Sequence, residues 1–178
     1  MHDAELAGSA AVDDLPTDAT LRLVAASDLN GDGRTDLVTR DALGAWSLHF
    51  MDGASVASTL PLPLKKSLDW RVVDSADFDG DHLDDLLLRY SNGDWMIYSL
   101  GAGDQPERRF PGLDAAPDAG DFSGDGVADV LLRHSGRGSW KLFTLSGAQV
   151  VATAESTLNE DLSWSAPQRH AGTYASSP

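Results

Sequence analysis

A stretch of nine residues recurs three times and constrains the chain more than any other feature. The copies are Asp28-Leu29-Asn30-Gly31-Asp32-Gly33-Arg34-Thr35-Asp36, Asp77-Phe78-Asp79-Gly80-Asp81-His82-Leu83-Asp84-Asp85 and Asp121-Phe122-Ser123-Gly124-Asp125-Gly126-Val127-Ala128-Asp129. Oxygen-bearing side chains fall at positions 1, 3, 5 and 9 of each copy, which makes Asp28, Asn30, Asp32 and Asp36, then Asp77, Asp79, Asp81 and Asp85, then Asp121, Ser123, Asp125 and Asp129 candidate metal ligands. A loop with that spacing can curl around a hard cation such as calcium, which takes about six to eight oxygens. Position 7 then offers a backbone carbonyl, from Arg34, Leu83 or Val127, and its side chain is free to vary. Gly33 and Gly126 at position 6 supply the sharp turn. Without an ion, the carboxylates crowded into each turn would repel one another at neutral pH.

An EF-hand loop begins with the same ligands, but it ends in a bidentate Glu at position 12 and is flanked by helices. Here position 12 holds Thr39, Leu88 and Leu132, and the residues leading in, such as Leu21-Arg22-Leu23-Val24 and Trp70-Arg71-Val72-Val73, read as extended. The sequence therefore predicts strands on both sides of each loop.

The first loop residues, Asp28, Asp77 and Asp121, give a period of 49 and then 44 residues, the range of solenoids and propeller blades. Around each loop the same events recur. A strand enters (Leu21 to Ala26, Trp70 to Ala76) and another leaves (Asp36 to Arg40, Asp85 to Tyr90, Asp129 to His134). A turn follows, with Asn92-Gly93 a strong hairpin signal, and then a strand that opens on tryptophan: Trp46 to Phe50, Trp95 to Ser99, Trp140 to Thr144. Trp46, Leu48 and Phe50 alternate onto one face. A Gly turn leads to a weaker fourth strand, such as Ser55 to Leu62 or Ala148 to Ala154. Pro61, Pro63, Pro106 and Pro111 suit edge strands and connections. The reading is an all-β, propeller-like chain of three four-stranded antiparallel blades, over residues 21–69, 70–112 and 113–164. They lie in a repeat domain over 18–170, between tails at 1–17 and 171–178.

Asp-Phe-Asp-Gly-Asp followed by an apolar strand, a Gly turn, a Trp-led strand and Gly-Ala resembles the FG-GAP/VCBS repeat, the family that includes the calcium-binding blades of integrin α-chain propellers and many bacterial surface and secreted proteins. The resemblance covers about Leu21 to Trp164. It implies a β-propeller architecture, about three calcium ions held one per loop, and a role in adhesion or ligand binding that is extracellular, at the cell surface or periplasmic. Two positions depart from the pattern. His82 stands where Gly is expected, so a non-Gly residue enters a left-handed conformation at about 1 kcal/mol. Ser123 is a neutral ligand in loop three.

Composition sets outer limits. A net charge of −15 over 178 residues argues against nucleic acid and anionic membranes as partners. The absence of Cys excludes disulfides and thiolate metal sites, and no apolar run is long enough for a membrane helix. Residues 1–17 lack the basic and apolar regions of a signal peptide, so an export signal would lie outside this chain. Propellers usually close with about four to eight blades. Three blades fit a fragment of a longer propeller, an open arc, or half of a six-bladed dimer that self-associates through open edges.

Trp46, Trp95 and Trp140, aligned in register, are expected to pack between blades, and Trp70 and Trp164 to be core residues rather than sugar-stacking platforms. His49, His134 and His170 have no ligand-spaced partner and are expected to be solvated or locally hydrogen-bonded. No nucleophile elbow, phosphate loop or zinc signature is present, so no catalytic residue is assigned and the chain is not expected to be an enzyme. The functional expectation is a calcium-binding extracellular adhesion or ligand-binding module with a protein or carbohydrate partner. The alternatives are a lectin-like carbohydrate-binding domain and a structural propeller appendage of a larger secreted enzyme.

Overall fold

A computed structural model describes residues 15, 16, 18–101, 107–110, 117–133 and 138–156, with residues 107–110, 117 and 156 entering through their backbone alone. The expected tails apart from Leu15 and Pro16, together with Trp164, His134, His170, Pro106 and Pro111, lie outside the described residues. Twelve strands form three sheets of four. The first sheet runs β1 (Arg22–Ser27), β2 (Asp36–Arg40), β3 (Trp46–Asp52), β4 (Ser55–Leu62). The second runs β5 (Trp70–Ala76), β6 (Asp85–Tyr90), β7 (Trp95–Tyr98), β8 (Glu107–Phe110). The third runs β9 (Pro117–Gly120), β10 (Asp129–Arg133), β11 (Trp140–Ser146), β12 (Gln149–Ser156). Every neighbouring pair is antiparallel, so each sheet is a meander in sequence order. The described residues contain no helix, which disposes of the EF-hand reading.

The inner strand β5 packs beside both β1 and β9, so the sheets stack as three blades of an open, propeller-like fan. Blade two lies in the middle, and this explains its unbroken apolar run. Leu86 and Leu88 pack with Val38, Trp46 and Leu48 of blade one, while Leu87 and Ile97 pack with Val130 and Leu132 of blade three. Strand alternation sends successive residues to opposite faces, and here both faces are covered. Leu86, Leu87 and Leu88 are all completely buried, each contributing about 2 kcal/mol of transfer free energy. Trp46 and Trp95 pack between blades as expected, one in each core, and Trp140 is buried as well. Arg40 and Arg133, the last residues of β2 and β10, lie over the rings of Trp46 and Trp140 at 5.0 and 5.8 Å from the ring centroids. Trp70 is a core residue, its ring centroid 4.9 Å from that of Tyr90.

Bulges recur at matched places. Val24 and Val73 are the extra residues where β1 and β5 approach their loops, and Ala57 and Val151 are the extra residues of β4 and β12. Pro61 sits in the edge strand β4, and Pro117 opens β9, two places where a missing amide does least harm.

Of the two states expected for His49, solvated or locally hydrogen-bonded, the structure shows the second, with the residue only 1 % exposed. Alternation places it with Thr39 and Ser47 on the face of blade one turned away from blade two, where blade two has Leu88, Met96 and Tyr98. Both ring nitrogens are hydrogen-bonded, Nε2 with Thr39 Oγ1 at 2.8 Å and Nδ1 with Thr59 Oγ1 at 2.9 Å. The imidazole thus ties β2, β3 and β4 together, and its burial lowers its pKa.

Candidate metal centre

Each acidic repeat is the turn between a blade's first and second strands, and its aspartates fold back onto the loop's own amides. Asp28 accepts from Gly31 N and Asp32 N through Oδ1, at 2.8 and 3.1 Å, and from Gly33 N through Oδ2, at 2.8 Å. Asp77 repeats this with Gly80 N at 2.6 Å and His82 N at 2.9 Å. Asp121 does so with Gly124 N at 2.6 Å, Asp125 N at 3.2 Å and Gly126 N at 3.0 Å. At position 5, Asp32, Asp81 and Asp125 accept from the amides of Arg34, Leu83 and Val127 at 2.8, 2.8 and 2.9 Å. At position 3, Asn30 and Asp79 accept from Asp32 N and Asp81 N at 2.9 and 3.1 Å. The Ser123 amide donates to Asp129 at 2.9 Å, and its hydroxyl bonds the Asp121 carboxylate.

Positive φ angles at positions 4 and 6 turn these amides inward. The expected strain at His82 is present at φ 70°, beside 80° for Gly33 and 90° for Gly126. Position 4 is glycine in every copy (Gly31, Gly80, Gly124), with φ of 75°, 86° and 79°. The repeat of Gly at position 4 is the sequence signal for this turn.

Position 9 does more than its spacing implied. Asp36, Asp85 and Asp129 are fully buried, and each accepts backbone amides on both oxygens. Asp36 binds Leu29 N at 3.2 Å and Met51 N at 2.9 Å. Asp85 binds Phe78 N at 3.1 Å and Leu100 N at 3.2 Å. Asp129 binds Phe122 N at 3.0 Å and Leu145 N at 3.0 Å. In each blade this carboxylate fastens the loop to the distal end of the Trp-led strand.

Burial, reinforced by the charge of Asp79, pushes the Asp85 carboxyl up to about 8, against the pull of its two amide donors. Burial also raises Asp36 and Asp79, with neighbouring loop carboxylates adding to the effect. Asp121 moves the other way, held down first by the amide of Gly126.

In loop two the geometry brings Asp77, Asp79 and Asp85 together, with one oxygen from each within 4.8 Å of the others. Oxygens sharing one calcium at about 2.4 Å stand no more than about 5 Å apart, so this donor set fits a single hard cation. Among the described residues it is the one cluster of three or more acidic or histidine side chains so arranged. Asp81 carries its oxygens outside that cluster, beside Gly101. In loops one and three the position-3 residues are Asn30 and Ser123, so fewer carboxylates are available. The position-7 side chains are not idle: Arg34 pairs with Asp52 at 3.5 Å and Asp32 at 3.9 Å, while Leu83 and Val127 pack onto the preceding loop.

Residues 28–88 match the FG-GAP-like repeat. The matched span opens on the first residue of loop one and closes in β6, so it takes in loops one and two with the hairpin between them. The FG-GAP-like match and the three-bladed all-β fan together make this a propeller-type repeat module. No curated protein and no solved structure matched the chain.

Proposed function

We propose that this chain is a calcium-stabilised, extracellular binding module whose blades hold one ion per loop. The observation that carries the reading is the convergence of Asp77, Asp79 and Asp85 on one point inside an FG-GAP-like repeat. Each ion would be held by the side chains at positions 1, 3, 5 and 9 and by the position-7 carbonyl, that is by Asp28, Asn30, Asp32, Arg34 and Asp36 in loop one, and by the matching residues in loops two and three, with Asp81 turning in from beside Gly101 to join Asp77, Asp79 and Asp85. Bound calcium supplies positive charge that holds the carboxylates together and lets the buried position-9 group ionise.

The module binds rather than catalyses, and its partner is a protein or carbohydrate met outside the cytoplasm, where millimolar calcium keeps even weak loops filled. The burial of Trp70 takes away one of two candidate sugar platforms, which favours a protein partner.

The test is calcium titration calorimetry combined with thermal melts. Three ions per chain are expected, and free calcium at about ten times Kd should add about 1.4 kcal/mol per site. A melting temperature that a chelator leaves unchanged would refute the reading.

A further inference from the structure

We propose that the three loops are coupled, so that calcium entering one raises the affinity of its neighbour. This rests on the reading that the loops hold calcium, and it concerns contacts between loops rather than within them. Two contacts repeat at both internal junctions. The position-8 amide of the following loop donates to the position-1 carbonyl of the preceding one, Asp84 N to Asp28 O at 3.2 Å and Ala128 N to Asp77 O at 2.7 Å. The position-7 side chain of the following loop covers the position-4 glycine of the preceding one. A β carbon on Gly31 would stand 2.9 Å from Leu83 Cδ2, and one on Gly80 would stand 3.3 Å from Val127 Cγ2. At the first junction the Ser27 hydroxyl also donates to the Asp84 carboxylate.

Among the described residues the pattern stops at loop three. A β carbon on Gly124 would meet nothing within 4 Å, and Phe122 is 50 % exposed where its counterparts Leu29 and Phe78 are 2 % and 0 % exposed.

These contacts share ligand residues with the ion sites. Leu83 gives its carbonyl to loop two and its side chain to Gly31 of loop one. Asp84 follows it and holds the carbonyl of Asp28, whose carboxylate belongs to loop one. An ion that orders positions 7 to 9 of one loop therefore also orders positions 1 to 4 of the loop before it, and the second ion meets a smaller entropic cost. Repulsion between neighbouring cations acts in the opposite sense. At the first junction the Asp84 carboxyl, bonded to Ser27 beside the first ligand of loop one, stands against that repulsion. Coupling in a stacked repeat falls off beyond nearest neighbours.

The experiment follows the amides of Gly33, His82 and Gly126 by NMR while calcium chloride is added to the chelator-treated full chain. Each of these amides donates to the first aspartate of its own loop, at 2.8, 2.9 and 3.0 Å, and so reports that loop alone. The double substitution Asp79→Asn with Asp81→Asn keeps the acceptor oxygens, so the loop stays folded while losing its ion. It should silence His82 and raise the calcium midpoints of Gly33 and Gly126 by about fivefold or more. Leu83→Ala changes no charge and should raise the Gly33 midpoint in the same direction. Asp32→Asn should move the His82 midpoint more than that of Gly126. Unchanged Gly33 and Gly126 midpoints in the double variant would overturn the coupling and leave calcium binding intact. A shift there that Leu83→Ala fails to reproduce would overturn the contact mechanism. Amides that do not respond in the unsubstituted chain would remove the calcium reading, and the coupling with it.

Discussion

Without calcium, this protein should lose stability as the pH rises through the range where most proteins are at their best. The cause is Asp85, fully buried, with a carboxyl pushed up to about 8 by burial and by the charge of Asp79. In the unfolded chain the same group releases its proton near pH 3.9, roughly. Between those two values the folded state binds one more proton than the unfolded state, so stability falls with increasing pH. The contribution is complete below the unfolded pKa and is lost as the pH rises through the folded one. Each pH unit inside the window removes about 1.4 kcal/mol, so raising the pH from 5 to 7 should cost about 2 to 3 kcal/mol. Asp36, Asp79 and Asp84 are also shifted upward and push in the same direction, against the buried His49, whose lowered pKa works the other way below about pH 6.5. For a chain of this size the melting temperature should drop by about 5 to 10 °C over those two units. Saturating calcium replaces the proton as the counter-charge and should flatten the slope. Scanning calorimetry at fixed ionic strength, in chelator and in calcium, measures both slopes. Asp85→Asn should abolish most of the chelator slope, at a constant cost of about 1 to 3 kcal/mol, because either Phe78 N or Leu100 N loses its acceptor. A chelated protein whose slope between pH 5 and pH 7 is the same with Asp85→Asn as without it would refute the argument from burial.

Three further substitutions probe separate parts of the structure. Gly101→Ala would bring a β carbon against Asp81 Oδ2, the end of a side chain that can swing away; loop two should bind calcium several-fold more weakly by titration, while the chelated melting temperature shifts by no more than about 1 °C, or roughly 0.5 kcal/mol. His82→Gly relieves a left-handed residue whose side chain is 94 % exposed, and denaturant unfolding in chelator should show a gain of about 0.5 to 1 kcal/mol. His49→Ala opens a cavity and strips Thr39 and Thr59 of their shared partner, which should cost about 2 to 4 kcal/mol by the same assay, and a cost below about 0.5 kcal/mol would show that the imidazole bridge is unimportant.

Much of the fold was legible because each blade is punctuated at fixed points. The position-9 aspartate marks where β2, β6 and β10 begin, and a tryptophan marks the start of β3, β7 and β11, so the sequence placed these starts to the residue. The strands it counted without placing, β8 and β9, have no such marker. Glu107–Phe110 shows no alternation, and β9 opens on a proline that by itself argues against a strand. The bulges at Val24 and Val73 follow from how a strand must bend into its loop, which no local pattern encodes. The burial of His49 depends on threonines in two other strands. Contacts between loops, such as Leu83 on Gly31, depend on blades stacking in chain order and therefore lie beyond the reach of any single repeat.

Position 9 shows what residue spacing leaves undetermined. Its regular place in the repeat marks a carboxylate that the loop needs, but two uses fit the same residue, as a brace for backbone amides or as a donor to an ion. The structure makes these uses compatible. An ionised carboxylate has about four lone-pair sites, and Asp85 commits two of them to Phe78 N and Leu100 N while keeping an oxygen within reach of Asp77 and Asp79. Removing Asp85 would therefore destroy the loop anchor and the ion site together, and the resulting loss of stability could not be divided between them. Asp79 is the better probe, because it shares the oxygen cluster and braces no interstrand backbone amide; its bond to the Ser99 hydroxyl is one that an asparagine oxygen still accepts. Asp79→Asn should weaken calcium binding and leave the chelated fold as stable as before, or slightly more so, because it lifts a charge from beside Asp85. Equal destabilisation by Asp79→Asn with and without calcium would mean that the cluster is only a brace.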